Sequence, residues 1–232
     1  LDRLSVVAEL DALRRLPADR VRAHPASAVF PGAVAADTPR VLRVVRIRIG
    51  EPAWYGTGLY AAPGEAVTVT VPPGLAGQGA SVRIGAHTDT LWHLPAWERA
   101  PEISRSFPLR EPVTVVANAF GGAVFIETTG QTPAGSYEIT VKGAVEAPRF
   151  VRGETTLHQW RERLRSLPAP WAELEGNHAV LTVPSGYVRA LDDPESVLAF
   201  WDDAMDAIAH LAGYPGSIPR PERYVADRQI SA

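Results

Sequence analysis

The 232-residue chain contains no cysteine. That excludes disulfides, thiolate nucleophiles and cysteine-ligated zinc together, and leaves the redox compartment undetermined. No apolar run approaches the roughly 20 residues that cross a bilayer as a helix, and the first residues lack the basic-then-apolar plan of a secretory signal. Excess charge is missing too: 23 basic residues against 26 acidic ones leave a formal charge of −3. With no Lys/Arg-rich run to compensate locally, the electrostatic footprint of a nucleic-acid binder is absent. Leu1 stands where an initiator Met would, which reads as a chain processed or cut from something longer.

Catalytic signatures are equally scarce. There is no G-x-S-x-G elbow, no P-loop and no G-x-G-x-x-G. The glycine-rich "GLAGQGAS" joins two strands rather than a strand to a helix, so it reads as a hairpin loop. In "HTDTLWH", His87 and Asp89 share one side of an extended segment and His93 lies four positions on. Imidazole and carboxylate bind zinc, but a site needs three or four convergent ligands, and Asp and Thr at a strand end commonly hydrogen-bond their own backbone. No metal site is assigned to this chain. Asp202, Asp203 and Asp206, with His210 one turn on, are expected on the solvated face of a helix.

Apolar residues make up 46% of the chain and charged residues 21%, enough for a sizeable core and for one large or two modest domains. Leu4, Val7, Leu10, Leu13 and Leu16 recur at helical spacing, and Pro17 closes the segment. Residues 18 to 39 are rich in Ala and Pro without a period and read as a connector that drapes over something. From Arg40 the period becomes two: Val45, Ile47 and Ile49, then Val67, Val69 and Val71, then Tyr137, Ile139 and Val141 alternate with polar residues. Together with "SVRIGA", "EPVTVVA" and "AVFIET", these predict an antiparallel sandwich or jelly roll.

After Arg152 helical spacing returns. Leu157, Trp160, Leu164 and Leu167 form one stripe. Val197, Trp201, Met205, Ile208 and Leu211 form a longer one, with Asp193 as N-cap, Pro194 in the first turn and Gly213 past the end. Between them "HAVLTVPS" reads as a strand, and the final "YVADRQISA" as the start of another. The expected division is a helix and connector at 1–39, a β-sandwich at 40–149 and a mixed α/β unit at 150–232. Trp160 and Trp201 fall on helical stripes and belong to the core. Trp54, Trp92 and Trp97 lie in or near loops of the β-region, positions suited either to stacking on sugar rings or to packing between loops.

Four blocks, "WYGTGLYAAPGEAVTVTVP", "VRIGAHTDTLW", "WERAP" and "NAFGGAVFIE", stand in an order and spacing that resemble the conserved region of enhancin-like zinc metallopeptidases. These are the viral enhancins and the bacterial enzymes that cleave mucins and other glycoproteins. The likeness continues through "APWAELEGNHAVLTVPS" into "RYVADRQISA". Within the blocks, Pro63 and Gly64 form a turn and Gly58 allows close backbone approach. Asn118, Gly121 and Gly122 are expected to take positive φ in a hairpin.

The resemblance implies a β-sandwich followed by the incomplete α/β start of a zincin-type peptidase domain. It also implies glycoprotein or mucin substrates, a secreted or cell-surface location, and zinc in the complete enzyme. Such enzymes hold zinc with H-E-x-x-H on a helix. The six histidines here, His24, His87, His93, His158, His178 and His210, include no pair four apart and no His-Glu dipeptide. The zinc helix is therefore expected beyond Ala232, in a further segment or a separate chain, and the 232 residues alone are expected to be inactive. Asp227 and Gln229 are expected to approach the substrate cleft. The alternative is a stand-alone, non-catalytic glycan-binding module that works through Trp54, Trp92 or Trp97.

Overall fold

The structure, a computed structural model, describes residues 3–214 and 220–231. Its larger part is a β-sandwich of eight antiparallel strands: β1 (Val41–Ile49), β2 (Trp54–Ala61), β3 (Val67–Thr70), β4 (Ser81–Ile84), β5 (Arg105–Pro108), β6 (Val113–Val116), β7 (Gly122–Glu127) and β8 (Gly135–Glu146). They run in the order β5-β4-β7-β2-β8-β3-β6, with β1 also on β8.

The twelve-residue β8 closes the sandwich. Its first part pairs with β1 and β3, and its last two residues, Val145 and Glu146, pair with β2 in the opposite leaf. The bend falls at Gly143, φ +93°, where an added Cβ would lie 2.8 Å from the carbonyl oxygen of Ala66. Alternation then fills the space between the leaves: Ile47, Ile49, Val67, Val69, Val82, Ile84, Ile126, Ile139 and Val141 are all buried in one cluster.

Residues 118–122 depart from the expected hairpin. β6 pairs with β3, and β7 with β2 and β4, so the segment crosses between leaves. Gly121 and Gly122 do take positive φ, but Asn118 does not. Its buried amide instead donates to the carbonyls of Ile103 (2.7 Å), Gly121 (3.1 Å) and Ile84 (3.4 Å).

The smaller part is a four-stranded mixed sheet in the order β12-β11-β10-β9: β9 (Arg149–Val151), β10 (Trp171–Glu175), β11 (Ala179–Pro184) and β12 (Glu222–Val225). β10 and β11 are antiparallel, and the flanking pairs are parallel. One face carries Phe150, Ala172, Leu174 and Leu181 against α2 (Leu157–Glu162) and α3 (Pro194–Leu211). The other face turns Trp171, Glu173 and Thr182 towards the sandwich. The expected α2 stripe breaks after Glu162, where a 3₁₀ turn carries Leu164.

α3 is capped as expected, with Asp193 accepting from the Ser196 N–H and Pro194 in the first turn, but its buried stripe is offset. Leu198, Asp202, Met205 and Ala209 face the sheet, while Ile208 and Leu211 are exposed together with Phe200. Asp202 is thus not on a solvated face. Burial alone would raise its pKa, but the N–H groups of His178 (2.8 Å) and Asn177 (3.1 Å) and the guanidinium of Arg152 (2.6 Å) hold it below the usual carboxylate value. Its helical carboxylate caps the β10–β11 turn.

The opening helix α1 (Arg3–Arg15) rests on the sandwich through Leu10, with Val6 and Leu13 half-buried, whereas Leu4, Val7 and Leu16 are exposed. The connector does drape. Val21 and Phe30 join Leu10, Tyr60, Phe125, Val145, Ala169 and Trp171 in a second core cluster, which draws on the opening segment, the sandwich and the small sheet.

Candidate functional site

The residues singled out in the β4–β5 connection and after β12 meet along one seam. β12 ends at Val225, so the final segment is not a strand beyond that point. It turns instead across the connection between β4 and β5. Arg99 has no exposed side-chain surface and donates to both oxygens of Asp227, each at 2.7 Å. It also donates to the carbonyls of Ala100 (2.9 Å) and Asp89 (3.2 Å). Asp227 accepts the N–H groups of Arg228 (2.7 Å) and Gln229 (3.3 Å), an Asx-type turn.

Gln229 works as a surrogate peptide group. Its oxygen accepts from the Glu98 N–H at 2.9 Å, and its amide donates to the Ala96 carbonyl at 3.0 Å. Asp89 accepts from the Ser231 N–H at 2.7 Å. Asp227 and Gln229 therefore sit together as the clasp between the two parts of the molecule.

His87 lies beneath this clasp. Phe30 and Trp171 meet it edge-on at 4.8 and 4.7 Å. Its Nε2 stands 3.1 Å from the carbonyl of Ala226, so that nitrogen carries the proton and donates. Burial drives the His87 pKa down to about 4; the nearby Asp227 pulls it up and Arg99 pushes it further down. A neutral imidazole is the result at physiological pH.

Trp54 borders a cavity of about 260 Å³ between the sandwich and the small sheet, lined also by Tyr55, Thr88, Arg220, Arg223 and Val225. Its indole N–H donates to Glu127 at 3.1 Å, and the Arg83 guanidinium stacks 3.9 Å from a ring centroid. Arg223 crosses from β12 to bond the Trp54 carbonyl (3.1 Å), the Thr182 hydroxyl (2.9 Å) and the buried carboxylate of Glu173, and lies over Phe125. Trp92 and Trp97 do not line this cavity. They form their own perpendicular pair, 5.4 Å apart, with Arg3 of α1 over the Trp97 ring. Their indole N–H groups go to Glu102 and to the Leu91 carbonyl.

His87, Asp89 and His93 do not converge. His87 faces Ala226, Asp89 holds Ser231 and His93 is exposed. Among the described residues no group of three or more His, Asp or Glu side chains is placed to hold a metal ion. The donor set of a zinc peptidase is thus not supplied by these residues. Sequence reasoning passed over Arg83, Arg99, Glu173 and Arg223, because nothing in "VRIGA", "WERAP", "WAELE" or "ERYV" marks a charged side chain as drawn inside.

Two family models match end to end. The N-terminal domain of M60-like peptidases covers residues 37–142, and peptidase M60, enhancin and enhancin-like, covers residues 143–232. The chain belongs to the enhancin-like M60 peptidase family. Among curated relatives of this M60 chain, a TRPM8 channel-associated factor homolog of Danio rerio is 40% identical over 178 residues, 77% of this chain and 20% of that protein. A homolog of Xenopus laevis is 41% identical over 183 residues, 79% of this chain and 20% of that protein. The chain thus spans about a fifth of the length of the curated relatives it matches.

Solved structures share the fold at low identity. ZmpB metallopeptidase from Clostridium perfringens has a TM-score of 0.59 at 14% identity, over 78% of this chain and 44% of that one. IMPa from Pseudomonas aeruginosa, in complex with an O-glycopeptide, has a TM-score of 0.56 at 16% identity, over 83% of this chain and 27% of that one.

Proposed function

We propose that this chain supplies the β-sandwich and the opening of the peptidase unit of an enhancin-like zinc peptidase acting on glycoproteins or mucins, with the zinc-binding helix outside these 232 residues. The observation that carries this reading is the consecutive match of the N-terminal and peptidase family models along residues 37–232. The complex of the structurally similar IMPa with an O-glycopeptide supports the substrate class. In this reading the clasp of Arg99 with Asp227, Gln229 and Asp89 fixes the path of the chain at the end of the small sheet, next to the substrate. Trp54 offers an aromatic wall with a cavity in front of it, the arrangement sugar rings use. Trp92 and Trp97 are an outer aromatic contact. A secreted or cell-surface location follows from the substrate. The chemistry belongs to zinc, which supplies Lewis-acid activation of water, and no step of it is assigned to residues of this chain.

The test is direct. Incubated with zinc and an O-glycosylated mucin peptide, the 232-residue chain is expected to bind the peptide without cutting it, and Trp54→Ala is expected to weaken that binding. Zinc-dependent cleavage by this chain alone would overturn the assignment of its metal ligands elsewhere.

The curated relatives favour a second reading, a non-catalytic interaction module, since proteins 40% identical to this chain are named for association with a channel. A polypeptide that extends this chain and carries H-E-x-x-H separates the two. Hydrolysis by that longer polypeptide supports the peptidase, and glycan or protein binding without hydrolysis supports the module.

A further inference from the structure

The outer edge of β1 points to a function that the peptidase reading does not use. β1 is nine residues long and pairs on one edge only, with β8. Among the described residues no strand pairs with the other edge. Long bare edges are normally covered or blunted, because their unpaired N–H and C=O groups template another strand.

This edge instead borders an open trough. Two adjoining hollows of about 420 and 470 Å³ run beside it, floored by residues 56–59 of β2 and walled on the far side by β9 and α2. The strand spans roughly 30 Å at about 3.3 Å per residue. That is the shape of an extended peptide.

The charges lining the trough are unbalanced. Arg43, Arg46, Arg48, Arg149 and Arg163 line it with Glu146, Glu154 and Glu175, and Arg46 is held from outside the trough by Glu138 at 2.8 Å. Glu146 is shared between Arg43 and Arg163, and Arg149 takes Glu175 at 2.6 Å. Arg48 is exposed and has no ion-pair partner among the described residues. The Nε of Arg149, at the junction of the two hollows, is buried with no hydrogen-bond partner. A bare strand edge, a peptide-shaped trough, the unpaired guanidinium of Arg48 and the unsatisfied Nε of Arg149 occur in one place.

We propose that this trough docks an acidic, extended polypeptide segment, which adds to β1 as a further strand. Main-chain hydrogen bonds to the edge supply affinity, and carboxylates at alternate positions meet Arg48, Arg149 and Arg163. The partner is a protein segment rather than a glycan, because the recognising element is backbone.

A fluorescein-labelled eight-residue Glu-Thr repeat tests this by anisotropy against the intact chain, with a Lys-Thr repeat as control. The expected result is saturable binding of the Glu-Thr peptide alone, weakened by salt. Arg48→Glu, at an exposed position, is expected to weaken binding by about tenfold or more while leaving the melting temperature unchanged. Amide exchange at residues 43–49 is expected to slow on binding. Equal binding of both repeats, unaltered binding by Arg48→Glu, protection confined to another region, or displacement by sialyllactose would each overturn the proposal. None of these readouts involves zinc or hydrolysis, so they stand or fall separately from the peptidase reading.

Discussion

The guanidinium of Arg99 has no contact with solvent, and its carboxylate partner Asp227 lies 128 residues further along the chain. Removing one member strands the other charge in a dry site, which costs about 3–5 kcal/mol. Arg99→Ala and Asp227→Ala are each expected to lower the urea unfolding free energy by that amount, while Arg99→Met combined with Asp227→Leu recovers a large part of it.

His87 gives a second residue-scale prediction. Its pKa is about 4 when folded, against an ordinary 6.5. Between those values the unfolded chain binds more protons, so stability falls as pH drops from 6.5 to 4, by on the order of 3 kcal/mol, and this contribution is flat outside the window. Urea midpoints measured across that range are expected to show the slope, and His87→Gln, which keeps a donor to Ala226, is expected to lose it. The depressed carboxylates Glu65 and Asp202 lose their stabilising contacts only below the usual carboxylate value, so they leave this window largely clear. No local pattern in "GAHTDTLWH" distinguishes a histidine held by Phe30 and Trp171 from a metal ligand, because both neighbours are remote in sequence.

At the scale of elements, period-two alternation was enough to locate β1, β3 and β8, whose inward positions are the buried ones. It was less able to say which strands pair, since β6 and β7 follow one another yet lie in different leaves. β8 joins the leaves through Gly143. Gly143→Val places a branched side chain at φ +93° with its Cβ 2.8 Å from the Ala66 oxygen, and is expected to cost about 2 kcal/mol or more, read as a lowered melting temperature. Capping chemistry was legible at α3 because Asp193 and Pro194 act within one turn. Its buried face was displaced from the expected stripe because Asp202 answers two N–H groups of the β10–β11 turn, a demand set by the sheet rather than by the helix.

At the scale of the molecule, the opening segment is part of the core. Leu10, Val21 and Phe30 pack with residues of the sandwich and with Trp171 of the small sheet. Each fully buried side chain of this kind contributes about 1.5–3 kcal/mol. A chain beginning at residue 37 is therefore expected to have an unfolding free energy in urea titration lower by several kcal/mol, whereas the intact chain is expected to show one cooperative transition in calorimetry. The sequence by itself determined the β-rich then mixed order of elements, the capping of α3 and the lack of an H-E-x-x-H motif, since periodicity, capping and motif spacing act over a few residues. Only the tertiary structure decided that Asp227 answers Arg99, that Trp54 borders a cavity while Trp92 and Trp97 pair apart from it, and that one edge of β1 has no strand on it among the described residues. Those outcomes depend on which distant segments pack together, and so on the sum of burial and charge pairing over the whole chain.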